Sequence, residues 1–147
     1  VGIVQNRADR LSMDLAHLKA EQLSASPMGV ARSPLAFTAE CIGFNRLVAD
    51  SVAGKPTSIP SQEQREAFFA SIDSLEKAQA GLKASADALA AAVEATDEAT
   101  LTAEGTAPWG EPLSLYMLVY YAADHMSYHD GQVNYIQALY GDAEDHW

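Results

Sequence analysis

His125 and His129 stand four residues apart in the stretch Asp124-His125-Met126-Ser127-Tyr128-His129. In a helix, side chains at that spacing lie one above the other. Two imidazoles so placed can each aim a ring nitrogen at a single divalent ion. Leu118, Tyr121, Ala122, Gln132, Val133 and Ile136 share the face, which this pattern predicts to be the core-facing stripe. The same spacing also fits two histidines hydrogen-bonded inside a bundle or flanking its rim. Glu40 is the second polar residue out of place, with Ala36, Phe37, Gly43, Phe44 and Leu47 as its helical neighbours. A carboxylate on so apolar a stripe neutralises, finds a partner or holds a cation. A slightly rotated helix would instead put Glu40 at the edge, beside Arg46 or a tyrosine hydroxyl. A carboxylate and a histidine pair together make a three-ligand set with open coordination positions, the arrangement of a catalytic rather than a closed structural site.

The remaining candidates are weaker. His17 has a mixed face around it and is expected to be exposed. His146 falls in an acidic tail and is expected to be mobile. Cys41 points about 100° away from Glu40 on the same helix and reads as a small core residue. The sequence has no Cys-His pairing, nucleophile elbow, phosphate-cradling glycine loop or four-cysteine zinc pattern.

Helical periodicity runs almost throughout, and it defines the elements that must hold these groups. Helix one is expected over 3–23, with Leu11, Leu15 and Leu18 on one face, ending at Ser26-Pro27-Met28-Gly29. Ser33-Pro34 opens helix two, expected over 33–53, and Gly54 with Lys55-Pro56 stops it. Ser61, with Glu63 and Glu66 behind it, opens a long alanine-rich helix three over 62–95. Residues 96–112 read as a loop with room for a short hairpin. Helix four covers 113–140, with Gly141 as its stop. The expected fold is all-α, a four-helix bundle forming a single domain over 1–147.

The 147 residues carry a formal net charge of −11, and 48% of them are hydrophobic, enough for one folded core. All 9 Lys and Arg lie at or before Lys83, so the excess acid lies wholly in the last 64 residues. Such a surface repels phosphate backbones and anionic headgroups, which argues against nucleic-acid or membrane partners. Its plainest reading is a solvated acidic face kept for solubility. One cysteine excludes an intrachain disulfide, and with no apolar leader the expected location is cytoplasmic. The chain opens on Val rather than Met, so a few native residues are expected to precede it.

The segment Tyr128-His129-Asp130-Gly131-Gln132-Val133, following His125, resembles the closing helix of the DinB/YfiT-like superfamily of metal-dependent enzymes. In that pattern a histidine, three residues and a second histidine are followed by x-Gly-Gln. Arg32-Ser33, with Glu40 seven residues after the serine and Gly54 fourteen after Glu40, resembles the family's ligand-bearing second helix. The resemblance implies a divalent metal (zinc, nickel or manganese) held by Glu40, His125 and His129, with Gln132 one turn beyond supporting the ligands. Glu40 replaces the family's usual histidine. Asp130 replaces a common arginine, which would remove a cation near the rim of the site.

By the same resemblance, the expected function is a metal-dependent enzyme acting on a small-molecule substrate, thiol-transferase-like or hydrolytic, in a homodimer. The alternative is a non-catalytic dimeric bundle with a structural or vestigial metal site. An open pocket beside the ion, lined by aromatics such as Phe37, Phe44 or Tyr121, would favour the enzyme. The acidic second half predicts an electronegative mouth that disfavours carboxylate-bearing thiols.

Overall fold

The computed structural model describes residues 2–146, so Val1 and Trp147 lie outside the described residues. Its helices are α1 (Gly2–Ala16), α2 (Ala20–Ser24), α3 (Pro34–Val52), α4 (Gln62–Ser71), α5 (Leu75–Glu94), α6 (Glu98–Thr102) and α7 (Leu115–Leu139). Among the described residues there is no strand, only an isolated bridge between Thr106 and Pro112 in the loop that had room for a short hairpin, and no helix is long and apolar enough to cross a membrane.

The long helices α1, α3, α5 and α7 make the bundle, and α5 and α7 each pack against both α1 and α3. Their directions follow from side-chain contacts. Gln5 reaches Asp87, and Gln79 reaches the Ser12 carbonyl, so α1 and α5 are antiparallel. Ile42 lies against Gly81 and Asn45 against Ser85, so α3 and α5 are parallel. Glu40 meets His129 and Asn45 meets Met126, so α3 and α7 are antiparallel. Parallel neighbours require a long crossover. Residues 53–74, with α4, supply it. Gly81 permits the close α3–α5 approach, because a Cβ there would meet Ile42 Cδ1 at 2.6 Å. Leu11, Leu15, Ile42, Leu82, Leu89, Leu118 and Met126 fill the centre.

The helix ends read from sequence are present. Ser33 Oγ accepts from the Ala36 N–H with Pro34 in the first turn, and Ser61 Oγ accepts from the Gln64 N–H. Gly54, at φ 69°, turns the chain out of α3.

Two expected helices are each broken. Helix one stops at Ala16 and restarts at Ala20. In an unbroken helix Leu18 and Leu23 would sit about 140° apart. The break lets both be buried. Helix three is α4 and α5, separated at 72–74, where Ser74 Oγ caps α5 by accepting from the Lys77 N–H. Propensity alone hid this joint, because nothing but a serine marks it in a helix-rich stretch.

Candidate metal centre

His125 and His129 lie on the side of α7 that faces α3. His129 is fully buried, and its Nε2 is 3.0 Å from Nε2 of His125. Gln132, one turn on, places its Oε1 2.7 Å from His129 Nδ1. An amide oxygen only accepts, so Nδ1 carries the hydrogen and Nε2 is the nitrogen turned toward α3. Phe37 stacks on the His129 ring at 4.9 Å, and Phe44 meets His125 edge-on at 5.3 Å. Burial, followed by the neighbouring His129, lowers the His125 pKa and favours the neutral imidazole that a metal requires. Tyr121, placed by periodicity on the core-facing stripe, is instead exposed at the mouth of a cleft.

Glu40 projects from α3 to His129, its Oε2 3.3 Å from His129 Nε2 and 2.5 Å from Arg32 Nη1. Its partner is therefore Arg32, not Arg46 or a tyrosine. The His129 hydrogen bond, partly opposed by burial and supported by Arg32, holds the Glu40 carboxyl down at about 2. Arg32 is itself seated over the Phe37 ring at 5.1 Å. Cys41 is fully buried as expected. Its Sγ also lies within 4.8 Å of donor nitrogens of His125 and His129, a proximity the 100° offset did not foretell. Burial raises the Cys41 thiol far above its ordinary value.

The donor chemistry fits a divalent ion. Ligand atoms at about 2.1 Å from a tetrahedral metal stand about 3.4 Å apart, close to the 3.0 and 3.3 Å found here. With Nδ1 hydrogen-bonded to Gln132, Nε2 of His129 can bond the Glu40 carboxylate only with a proton between them, and a metal cation would take that proton's place. His125 Nδ1 is buried and has no hydrogen-bond partner. His125 and His129 could hold an ion together with the Glu40 carboxylate, which reaches His129, or with Cys41, whose Sγ lies within 4.8 Å of both rings, while Gln132 fixes the His129 ring.

Beside these donors opens a cleft of about 890 Å³. Glu40 and His125 line it together with the aromatic rings of Phe44, Phe68, Trp109 and Tyr128 and residues 56–60 of the crossover. Arg46 and Arg65 line it together with Asp50 and Asp124, so its charge is mixed rather than uniformly acidic.

Asp130 departs from expectation. It turns to the α1 side of α7, away from the rim of the metal centre, and is buried near the fully buried Asp14. Asn134 Nδ2 donates to Asp14 Oδ2 at 2.7 Å, and Gln137 Nε2 donates to the Asp14 carbonyl. Burial and the Asp14 carboxyl push Asp130 up to about 7. Oδ1 of each aspartate is buried without a hydrogen-bond donor. A proton on the Asp130 carboxyl would supply one, with the charges of Arg10 and Arg7 acting the other way.

A mixed parallel and antiparallel helical bundle, with convergent imidazole and carboxylate donors at the foot of a cleft, defines the class. The family model of the DinB superfamily matches residues 3–133. The chain belongs to that superfamily. Its structure is similar to that of a conserved protein from Enterococcus faecalis, at TM-score 0.74 and 14% identity, covering 94% of this chain and 92% of that one. It is also similar to the mycothiol-dependent maleylpyruvate isomerase, at TM-score 0.67 and 14% identity, and to a histidine-to-alanine mutant of that enzyme at 17%. Those alignments cover 90% of this chain but 58% of the isomerase. At these identities the likeness concerns the fold. No curated protein sequence matches the chain.

Proposed function

We propose that the protein is a divalent-metal-dependent enzyme whose ion is held by Glu40, His125 and His129 and whose small-molecule substrate occupies the adjoining cleft. The observation that supports the reading is that His129 Nε2 meets both His125 Nε2, at 3.0 Å, and Glu40 Oε2, at 3.3 Å, beside an open cleft. The ion would act as a Lewis acid toward a water or thiol in the positions these three donors leave open. Gln132 keeps Nε2 of His129 free to bind, Phe37 fixes the ring plane, and Arg32 steadies Glu40. The aromatic walls of the cleft exclude water from an apolar substrate body.

Thiol transfer or isomerisation, in the manner of the mycothiol-dependent neighbour, and hydrolysis are the two reaction classes proposed. Arg46 and Arg65 in the cleft answer the objection that the acidic second half turns carboxylate-bearing thiols away. The cleft is also the feature that favours an enzyme over a bundle with a structural ion. We extend the proposal to a homodimer, supported by exposed Tyr116, Tyr120 and Tyr135 on α7, and to a reducing cytoplasm, which suits a lone buried thiol.

Cys41 gives a second reading, in which its thiolate, His125 and His129 form the ligand set. Metal analysis of protein purified without an affinity tag decides between them. His129→Ala is expected to lower metal affinity at least 100-fold in either case. Loss of metal in Glu40→Ala with retention in Cys41→Ser supports the carboxylate set, and the reverse supports the thiolate. No metal in the parent at saturating zinc, nickel or manganese overturns the proposal.

A further inference from the structure

The two histidines set aside in the sequence, His17 and His146, come together at the other end of the molecule. His17 lies in the break between α1 and α2, and the chain after α7 turns at Gly141 and folds back over it. The Glu144 N–H donates to Asp142 Oδ1, and His146 Nε2 lies 2.9 Å from Asp142 Oδ2. The His146 ring stacks on His17 with centroids 3.6 Å apart and planes 11° from parallel. The tail is thus docked, not mobile as its composition suggested, and the His146 side chain is only 11% exposed.

Donor atoms of His17, Asp142 and His146 all lie within 4.8 Å of one another. We infer that these three residues form a second metal site that clasps the C-terminal segment to the end of α1. Two imidazoles and a carboxylate suit zinc, nickel or copper(II), not the oxygen-preferring magnesium or calcium. His17 is exposed, which gives an ion its entry. An ion lies in the plane of each imidazole that binds it, so parallel stacked rings cannot both do so unmoved. Binding therefore unstacks the pair, and exposed His17 is the ring free to turn. Glu144 and Asp145 add negative charge nearby, in a segment with no Lys or Arg. α7 runs 10 residues beyond His129, about 15 Å, to Leu139 before the turn that carries Asp142, so the two sites bind independently.

Zinc titration by calorimetry, on tag-free protein, tests the inference without reference to activity. The parent is expected to bind two equivalents, His17→Ala and His146→Ala one each, and the double variant His17→Ala/His129→Ala none. Histidine ring resonances of His17 and His146 are expected to shift together in His129→Ala as zinc is added. Two equivalents in both His17→Ala and His146→Ala overturn the second site. So does a single equivalent in the parent that His129→Ala abolishes. A single equivalent that survives His129→Ala but not His17→Ala upholds the clasp and instead sinks the centre at Glu40.

Discussion

Along α7, the side facing α3 carries His125 and His129, and the side facing α1 carries Asp130, Asn134 and Gln137. Both bury polar groups, yet they differ in what those groups leave over. On the α1 side, Asn134 and Gln137 donate to Asp14, and a carboxyl proton completes the network. On the α3 side, ring nitrogens and a carboxylate oxygen converge, and a cleft runs in from solvent. A buried polar cluster that closes on itself stabilises and orients helices. One that ends in unopposed lone pairs beside an opening is equipped to bind.

Substitutions on the two sides should therefore differ in what they do to binding. Asp14→Ala, which strips Asn134 of its carboxylate acceptor, is expected to destabilise the protein by about 2 kcal/mol. Zinc affinity should not change; a parallel loss of zinc binding would show that the two sides act as one unit. Gln132→Ala should act on both: removal of the group that orients His129 is expected to lower zinc affinity about tenfold, and the buried Nδ1–H left without its acceptor to cost about 1 kcal/mol of metal-free stability.

The pH dependence of metal-free stability gives a further comparison, in which the sides have opposite sign. Glu40 is lowered from 4.5 to about 2, so its contribution is present above about pH 4.5 and is lost as pH falls toward 2. Asp130 is raised from 3.8 to about 7, so the folded form holds the extra proton. Its contribution is complete below about pH 4 and is lost as pH rises through 7. Chemical denaturation from pH 2 to 8 should show Glu40→Gln flattening the acid limb and Asp130→Asn flattening the decline toward neutrality. An unchanged decline in Asp130→Asn would disprove the proton on Asp130.

Much of the candidate metal centre's local geometry was legible in the residues. Histidines four apart share a helix face whatever the tertiary fold, and Glu40 on an apolar stripe had to be neutralised or partnered. Two other groups were misplaced because a helical wheel gives angle but not neighbour. Asp130, one residue after a ligand, looked like part of the rim, whereas one residue is about 100° of rotation and turns it to α1. Tyr121 sits one turn before His125, yet the cleft opens before the stripe reaches it. The pairing of His17 with His146 had no sequence signal at all, since 129 residues separate them and only a folded-back tail joins them.

By itself the sequence determined the helical class, the caps at Ser33 and Ser61, the turn at Gly54 and the helix face shared by His125 and His129, all of which depend on local dihedral preference and periodicity. The tertiary structure alone decided the parallel pairing of α3 with α5, and hence the crossover that walls the cleft. It also gave Glu40 to Arg32 and His129, Asp130 to Asp14, and His146 to His17. Local propensity sets which way a side chain leaves its helix. What it meets depends on helix order and direction, which are fixed by burying all the apolar faces at once.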